Sequence, residues 1–169
     1  MEKTVKIIVS GDGGVGKTSF LNRLVFDTFN AKNELTRGVD FYSKTILVNN
    51  TEINFILWDF AGQDQFKDIL DRFVDGSLAA IILFDLTRIS SIENLQEWIY
   101  KLKELGKIPI LLLGTKSDLI DKEMLSPIDD FINDIKNEHP NIINYLKISS
   151  KNGENVKDAF NLLIEDISK

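Results

Sequence analysis

The chain has 169 residues, 43% apolar and 27% charged, which suits one globular domain and excludes a disordered or fibrous chain. It has no cysteine, so disulfide frameworks, thiolate metal sites, iron–sulfur clusters and cysteine nucleophiles are ruled out, and metal chemistry rests on oxygen ligands. Twenty basic against 26 acidic residues leave a net charge of −6, which disfavours nonspecific binding to nucleic acid or anionic lipid; a polyanion has to be held by a local site.

In chain order, Val5 to Val9 is an apolar run that ends in Ser10-Gly11, and Phe20, Leu21, Leu24 and Val25 follow at helical spacing within Thr18 to Phe26. The pattern predicts strand, glycine loop, helix. Phe41 to Val48 alternates apolar with polar, and Asn49-Asn50-Thr51-Glu52 reads as a turn into Ile53 to Trp58, hence a hairpin. Leu78 to Phe84 and Ile108 to Leu113 are continuous apolar runs, short enough to be parallel strands covered on both faces. Ser90 to Leu105, Ser126 to Glu138 and Asn155 to Ile167 carry helical periodicity, with Ser126-Pro127 as an N-cap followed by proline at the first helical position. Asn144 to Ile148 supplies a sixth strand. The expected fold is α/β: a six-stranded, mostly parallel sheet with one antiparallel edge strand from the hairpin and helices on both faces.

The longest apolar run, Leu78 to Phe84, has seven residues, whereas a bilayer span takes about twenty. No signal region, no glycine after the methionine and no terminal prenylatable cysteine are present, so the expectation is a cytoplasmic protein without an intrinsic membrane anchor. Two stretches of weak periodicity, Phe29 to Asp40 and Phe60 to Gly76, each follow a candidate phosphate or metal element.

Gly11-Asp12-Gly13-Gly14-Val15-Gly16-Lys17-Thr18 fits G-x-x-x-x-G-K-[ST] between a predicted strand and a predicted helix, and Ser19 continues the segment. Glycines there let backbone N–H groups converge on phosphate oxygens, Lys17 adds a cation at the β/γ-phosphates, and Thr18 offers a hydroxyl to Mg²⁺. Such a loop serves kinases, ATPases and GTPases alike, so other elements must name the base and the reaction. Asp59, at the end of a strand, is placed to meet the same Mg²⁺ through a hard oxygen. Gly62 would let a backbone N–H approach the γ-phosphate, and Gln63 can orient an attacking water. The single histidine, His139, stands beside Glu138 and Pro140 and reads as a solvated helix end; Trp58 and Trp98 read as core residues able to report conformation by fluorescence.

The run Ile108 to Leu113 leads into Gly114-Thr115-Lys116-Ser117-Asp118. Guanine presents N1–H and its 2-amino group as paired donors that one carboxylate, Asp118, can accept, whereas adenine would leave that carboxylate buried and unpaired. Lys116 can lay its stem along the base, and Ser149-Ser150-Lys151 would present backbone N–H groups to the guanine oxygen.

As a set these motifs resemble the Ras-like small GTPases over essentially the whole chain. Gly11-Asp12-x-Gly14-Val15-Gly16-Lys17-Thr18, Trp58-Asp59-x-Ala61-Gly62-Gln63 and Gly38-Val39-Asp40-Phe41 look most like the Rab branch, while Thr115-Lys116-x-Asp118 looks more like Rho. The resemblance implies a single G domain over residues 1–169 that binds GTP or GDP with Mg²⁺. It also implies that Thr36 contacts Mg²⁺ and the γ-phosphate from switch I, that Phe29 packs edge-on against the guanine, and that Gly13 leaves room for the catalytic glutamine and an incoming arginine. Three departures stand out. Thr115 replaces the commoner asparagine and so forgoes an amide that tethers the P-loop; Asn33 stands where relatives carry an aromatic residue, with Arg37 after Thr36; and the chain has no cysteine-bearing tail.

The lead expectation is a GDP/GTP switch that hydrolyses GTP, with Gln63, Lys17 and Thr36 as the catalytic residues. Effectors would read switch I and switch II, an exchange factor and an activating protein would act on a monomer, and nucleic acid has no part. Arg37, which follows Thr36, is a weaker candidate for an arginine acting in cis. The competing reading is a GTP-binding scaffold regulated by exchange with negligible hydrolysis, against which Gln63 argues. A P-loop kinase or ATPase would require an arginine-rich lid, and the chain has none.

Overall fold

Alternation builds the first strand: Val5, Ile7 and Val9 of β1 (Lys3–Ser10) turn to one face and Ile8 to the other, all buried. In the computed structural model, which describes residues 3–32, 38–61, 74–103 and 106–169, this strand lies inside a six-stranded sheet. Two strands flank it in parallel: β3 (Thr51–Phe60), with Val9 opposite Asp59, and β4 (Ser77–Asp85), with Val9 opposite Ile81. β2 (Val39–Val48) pairs antiparallel with β3 and forms one edge, while β5 (Ile110–Thr115) and β6 (Ile142–Lys147) extend the sheet in parallel beyond β4. The sheet order is β2-β3-β1-β4-β5-β6, with the expected single antiparallel edge strand.

The hairpin is tighter than expected. Asn49 and Asn50 both have positive φ, 49° and 63°, and Val48 already pairs with Thr51, so a two-residue turn joins the strands and Thr51 and Glu52 belong to β3. Paired positive φ matches the right-handed twist of the strands, and asparagine tolerates it.

The helices cover both faces. α1 (Lys17–Phe26) and α5 (Val156–Ile167) pack Phe20, Leu21, Leu24, Phe160 and Leu163 against the Val5, Ile7 and Val9 side. The opposite face receives α2 (Ile89–Glu93), α3 (Leu95–Lys103) and α4 (Lys122–Glu138), whose Ile92, Leu95, Trp98, Ile132 and Ile135 meet Ile8, Ile82 and Leu112.

Two helical expectations change. The segment from Ser90 to Leu105 is broken at Asn94, which ends α2 and precedes α3. α4 begins at Lys122 after Asp121, not at Pro127, which lies inside the helix. Residues 121–124 are exposed, so the carbonyl that loses its partner to the proline can bond to water. Among the described residues no helix is long and apolar enough to cross a membrane.

Candidate functional site

Parallel strands β1, β3 and β5 end at the same edge of the sheet, which brings Gly11, Asp59 and Lys116 to the side where open α/β sheets form their ligand crevice. After β1 the chain turns through Gly11, Gly14 and Gly16, all at positive φ. Gly11 is obligatory, because a Cβ there would lie 2.2 Å from the Leu83 carbonyl oxygen. The turn delivers the N-terminus of α1, which carries no acidic residue in its first turn and so presents unopposed N–H groups and the positive end of its dipole. Lys17 is only 5% exposed and its Nζ donates to the carbonyls of Gly11 at 2.9 Å and Asp12 at 2.7 Å. Burial pulls its ammonium down to about 8, against the opposing pull of Asp59 and Asp12.

Thr18, next on α1, donates its hydroxyl to Asp59 Oδ2 at 2.7 Å. Asp59 is fully buried near the end of β3, placed there by its pairing with Val9. A hydroxyl and a carboxylate oxygen brought together beside a phosphate-type loop form the hard-oxygen donor set that fits Mg²⁺.

After β5, Lys116 leaves the strand with a left-handed backbone, φ 61°, and its Nζ forms an ion pair with Asp85 Oδ2 at 2.6 Å. Asp85 closes β4 and is buried; burial alone would raise its carboxyl, but Lys116 and the hydroxyl and amide of Thr87 outweigh it and hold the group below its ordinary value. Asp118 accepts from the Ser149 hydroxyl at 2.7 Å, and Ser117 donates to Glu154 at 2.9 Å, which joins this connection to the one after β6. Arg23, from α1, reaches across to that second connection: Nε donates to the Ser150 carbonyl and Nη2 to the Lys151 carbonyl, each at 2.8 Å. Thr115 Oγ1 lies 2.6 Å from the Val15 carbonyl oxygen, so a hydroxyl makes the P-loop tether that the missing amide would have made.

The structure therefore gathers Gly11 to Thr18 and Asp59 at one end, and Thr115, Lys116, Asp118, Ser149, Ser150 and Lys151 at the other. Ser19 is half-buried in the first turn of α1, and Phe29 is 38% exposed. Thr36, Gly62 and Gln63, with Asn33 and Arg37, lie outside the described residues. Trp98 is buried as expected, but Trp58 is only half-buried, edge-on to Phe41 at 4.5 Å with Lys6 Nζ 3.8 Å above its ring. His139 is the C-cap of α4, at the helix end where it was expected.

Asp85 and Arg23 escaped the sequence reading. Asp85 stands where the apolar run Leu78 to Phe84 stops, the same strand-end position as Asp59, and that parallel is a usable signal. Arg23 sits in a helical pattern with nothing local to mark its distant partners.

A parallel α/β sheet whose strand ends carry a P-loop, a buried carboxylate beside it and a second carboxylate two strands away defines a P-loop nucleotide-binding protein. Comparison with known proteins narrows the class. The Ras family model matches residues 6–169. "Ras-related protein Rab-13" of Mesocricetus auratus is 35% identical over 164 residues, covering 96% of this chain and 79% of its own length. "Ras-related protein Rab-11C" of Dictyostelium discoideum is 35% identical over 169 residues, covering 98% and 73%. "GTP-binding protein ypt3" of Schizosaccharomyces pombe is 30% identical over 164 residues, covering 96% and 75%. The chain belongs to the Ras family, as a small GTPase of the Rab branch, and is thus a GTP hydrolase.

Proposed function

We propose that residues 1–169 act as one G domain that switches between GDP-bound and GTP-bound forms, with hydrolysis of GTP ending the signal. The observation that carries this reading is the pairing of two ends of one crevice: Thr18 with Asp59 at the phosphate end and Ser149 with Asp118 at the base end.

In this reading backbone N–H groups from Gly11 to Ser19 and the Lys17 ammonium hold the phosphates. Thr18, Asp59 and Thr36 would hold Mg²⁺, which when bound neutralises phosphate charge. Asp118, oriented by the Ser149 hydroxyl, accepts from guanine N1–H and the 2-amino group. Lys116 lays its stem along the base, backbone N–H groups of Ser149 to Lys151 meet the guanine oxygen, and Phe29 packs at the ring edge. Gln63 orients water for in-line attack on the γ-phosphate, and Gly13 leaves space for that side chain. Thr36 and the Gly62 N–H sense the γ-phosphate, so its loss releases residues 29–40 and 60–76.

An exposed aromatic contact supports reading by effectors: Phe41, next in the chain after residues 29–40, is 57% exposed and packs edge-on against Trp58. Unaided turnover is expected on the order of 10⁻⁴ s⁻¹, with roughly 10⁵-fold available from an activating protein's arginine, as in Ras. An exchange factor would reset the monomer in a cytoplasmic setting, where an uncrosslinked, cysteine-free chain is at home.

The test is to release and identify the nucleotide that co-purifies, then to compete it with guanine and adenine nucleotides with and without Mg²⁺. Guanine nucleotide that adenine nucleotide fails to displace is the expected result; adenine nucleotide in its place overturns the base reading. Single-turnover hydrolysis in a Gln63→Leu variant then separates switch from scaffold: a strong slowing is expected, and an unchanged rate would favour a scaffold regulated by exchange alone.

A further inference from the structure

A phosphate-binding loop is a poor place for a carboxylate, since like charge repels the ligand, yet Asp12 stands five residues before Lys17. Its side chain is directed elsewhere. Oδ2 accepts from Asn94 Nδ2 at 2.7 Å and Oδ1 from Trp98 Nε1 at 2.8 Å, both short, charge-assisted hydrogen bonds. One residue on, the Gly13 carbonyl accepts from Arg88 Nη2 at 2.7 Å. All three donors come from the stretch that immediately precedes and forms α2 and α3. Trp98 is 1% exposed and packed in the core below the sheet, so its N–H is a fixed point, and Asn94 sits where the two helices break.

We propose that Asn94 and Trp98 are positioning residues that hold the Asp12 carboxylate to α3 and thereby set how long a guanine nucleotide stays bound. The inference rests on the nucleotide reading given above. The chain of contact is short: the same Asp12 whose carboxylate α3 holds gives its backbone carbonyl to Lys17 Nζ at 2.7 Å. Anchoring the side chain turns the negative charge toward neutral donors and away from the phosphates, and it fixes the carbonyl that aims Lys17. Freed, Asp12 would swing its charge toward the ligand and slacken the lysine, and both changes speed release.

The experiment measures release of a fluorescent GDP analogue from wild type and from Trp98→Phe, which keeps an aromatic ring in the core but loses the donor. Asn94→Ala, at a half-buried position, repeats the test without touching the core. Each is expected to release the analogue about five- to tenfold faster, the loss of one charge-assisted bond. In an Asp12→Ala background Trp98→Phe should add nothing, because the acceptor is already gone. The Trp98 indole N–H resonance in an ¹⁵N spectrum should shift in Asp12→Ala, a signature that packing alone would not move. Release within twofold of wild type in both single variants, or effects of Trp98→Phe and Asp12→Ala that simply add, overturns the proposal. Wild type that fails to bind the analogue at all, with the indole shift still present, would instead place the failure in the nucleotide reading.

Discussion

In the proposed reading eight consecutive residues, Gly11 to Thr18, joined by Asp59 of β3, make the phosphate end of the crevice, whereas the base end takes Lys116 and Asp118 from one connection, Ser149 to Lys151 from another, and support from Asp85 and Arg23 on two further elements. The phosphate end is backbone wrapped on itself, with positive φ at three glycines and one buried lysine held by carbonyls of its own loop. The base end is a lattice of side-chain bonds between distant segments. A contiguous site of the first kind fails abruptly when its backbone is disturbed; a distributed site of the second kind loses function by degrees.

Gly11→Ala is the most damaging way to break the phosphate end. Its Cβ would meet the Leu83 carbonyl oxygen at 2.2 Å, so the loop or β4 must move, and we expect a loss of about 3 kcal/mol or more in urea unfolding, with little nucleotide bound. A milder probe of the same end is pH. In the proposed binding mode the Lys17 ammonium meets the phosphates, and its value of about 8 makes the charged fraction fall on the alkaline side, so GDP affinity should weaken about fourfold between pH 7 and 8.5 by titration calorimetry. A flat profile would mean that Lys17 does not carry the phosphate contact.

At the base end, Asp85→Asn removes the charge that pairs with Lys116. Lys116 is partly open to solvent, which screens the pair, so the expected cost is about 1–2 kcal/mol in denaturant unfolding at pH 7, with GDP bound several-fold more weakly. Because the Asp85 carboxyl is held below its ordinary value, its stabilisation is present above the unfolded value and lost as pH falls through the folded one. The acid limb of the stability curve should therefore be shallower in the variant. Arg23→Lys should have the smallest effect, since an ammonium on a flexible stem lacks the rigid fork that aims Nε and Nη2 at the Ser150 and Lys151 carbonyls: GDP release two- to threefold faster, read by stopped flow. Asp27→Asn, which breaks the exposed Arg23 ion pair alone, is the control and should stay within about 0.5 kcal/mol of wild type.

The same contrast explains what was legible in the sequence. Strands announced themselves because buried parallel strands are continuous apolar runs, and the P-loop because its residues are adjacent. The expectation at Asp118 rested on the fit of a carboxylate to guanine and on resemblance, while its bond to Ser149 had no local signal; Arg23 was invisible because its partners lie 127 and 128 residues away. Pro127 misled for a local reason. Ser-Pro is a strong start signal, but nothing local shows that the preceding turn, from Lys122, is exposed enough to tolerate the missing hydrogen bond. Trp98 was read as packing, which it does, but a hydrophobicity pattern does not see the one polar atom by which it reaches Asp12.

The order β1-β4-β5 leaves a single strand between the loop proposed to hold the phosphates and the connection proposed to hold the base. At roughly 4.8 Å per step those two connections start about 10 Å apart, a span fixed by backbone hydrogen bonds and not by any side chain. The sheet thus works as a caliper with two jaws of set separation. In the proposed reading a free base or a bare pyrophosphate would close on one jaw only and forgo the gain of tethered binding, while a nucleotide that bridges both would be held far more tightly than either fragment.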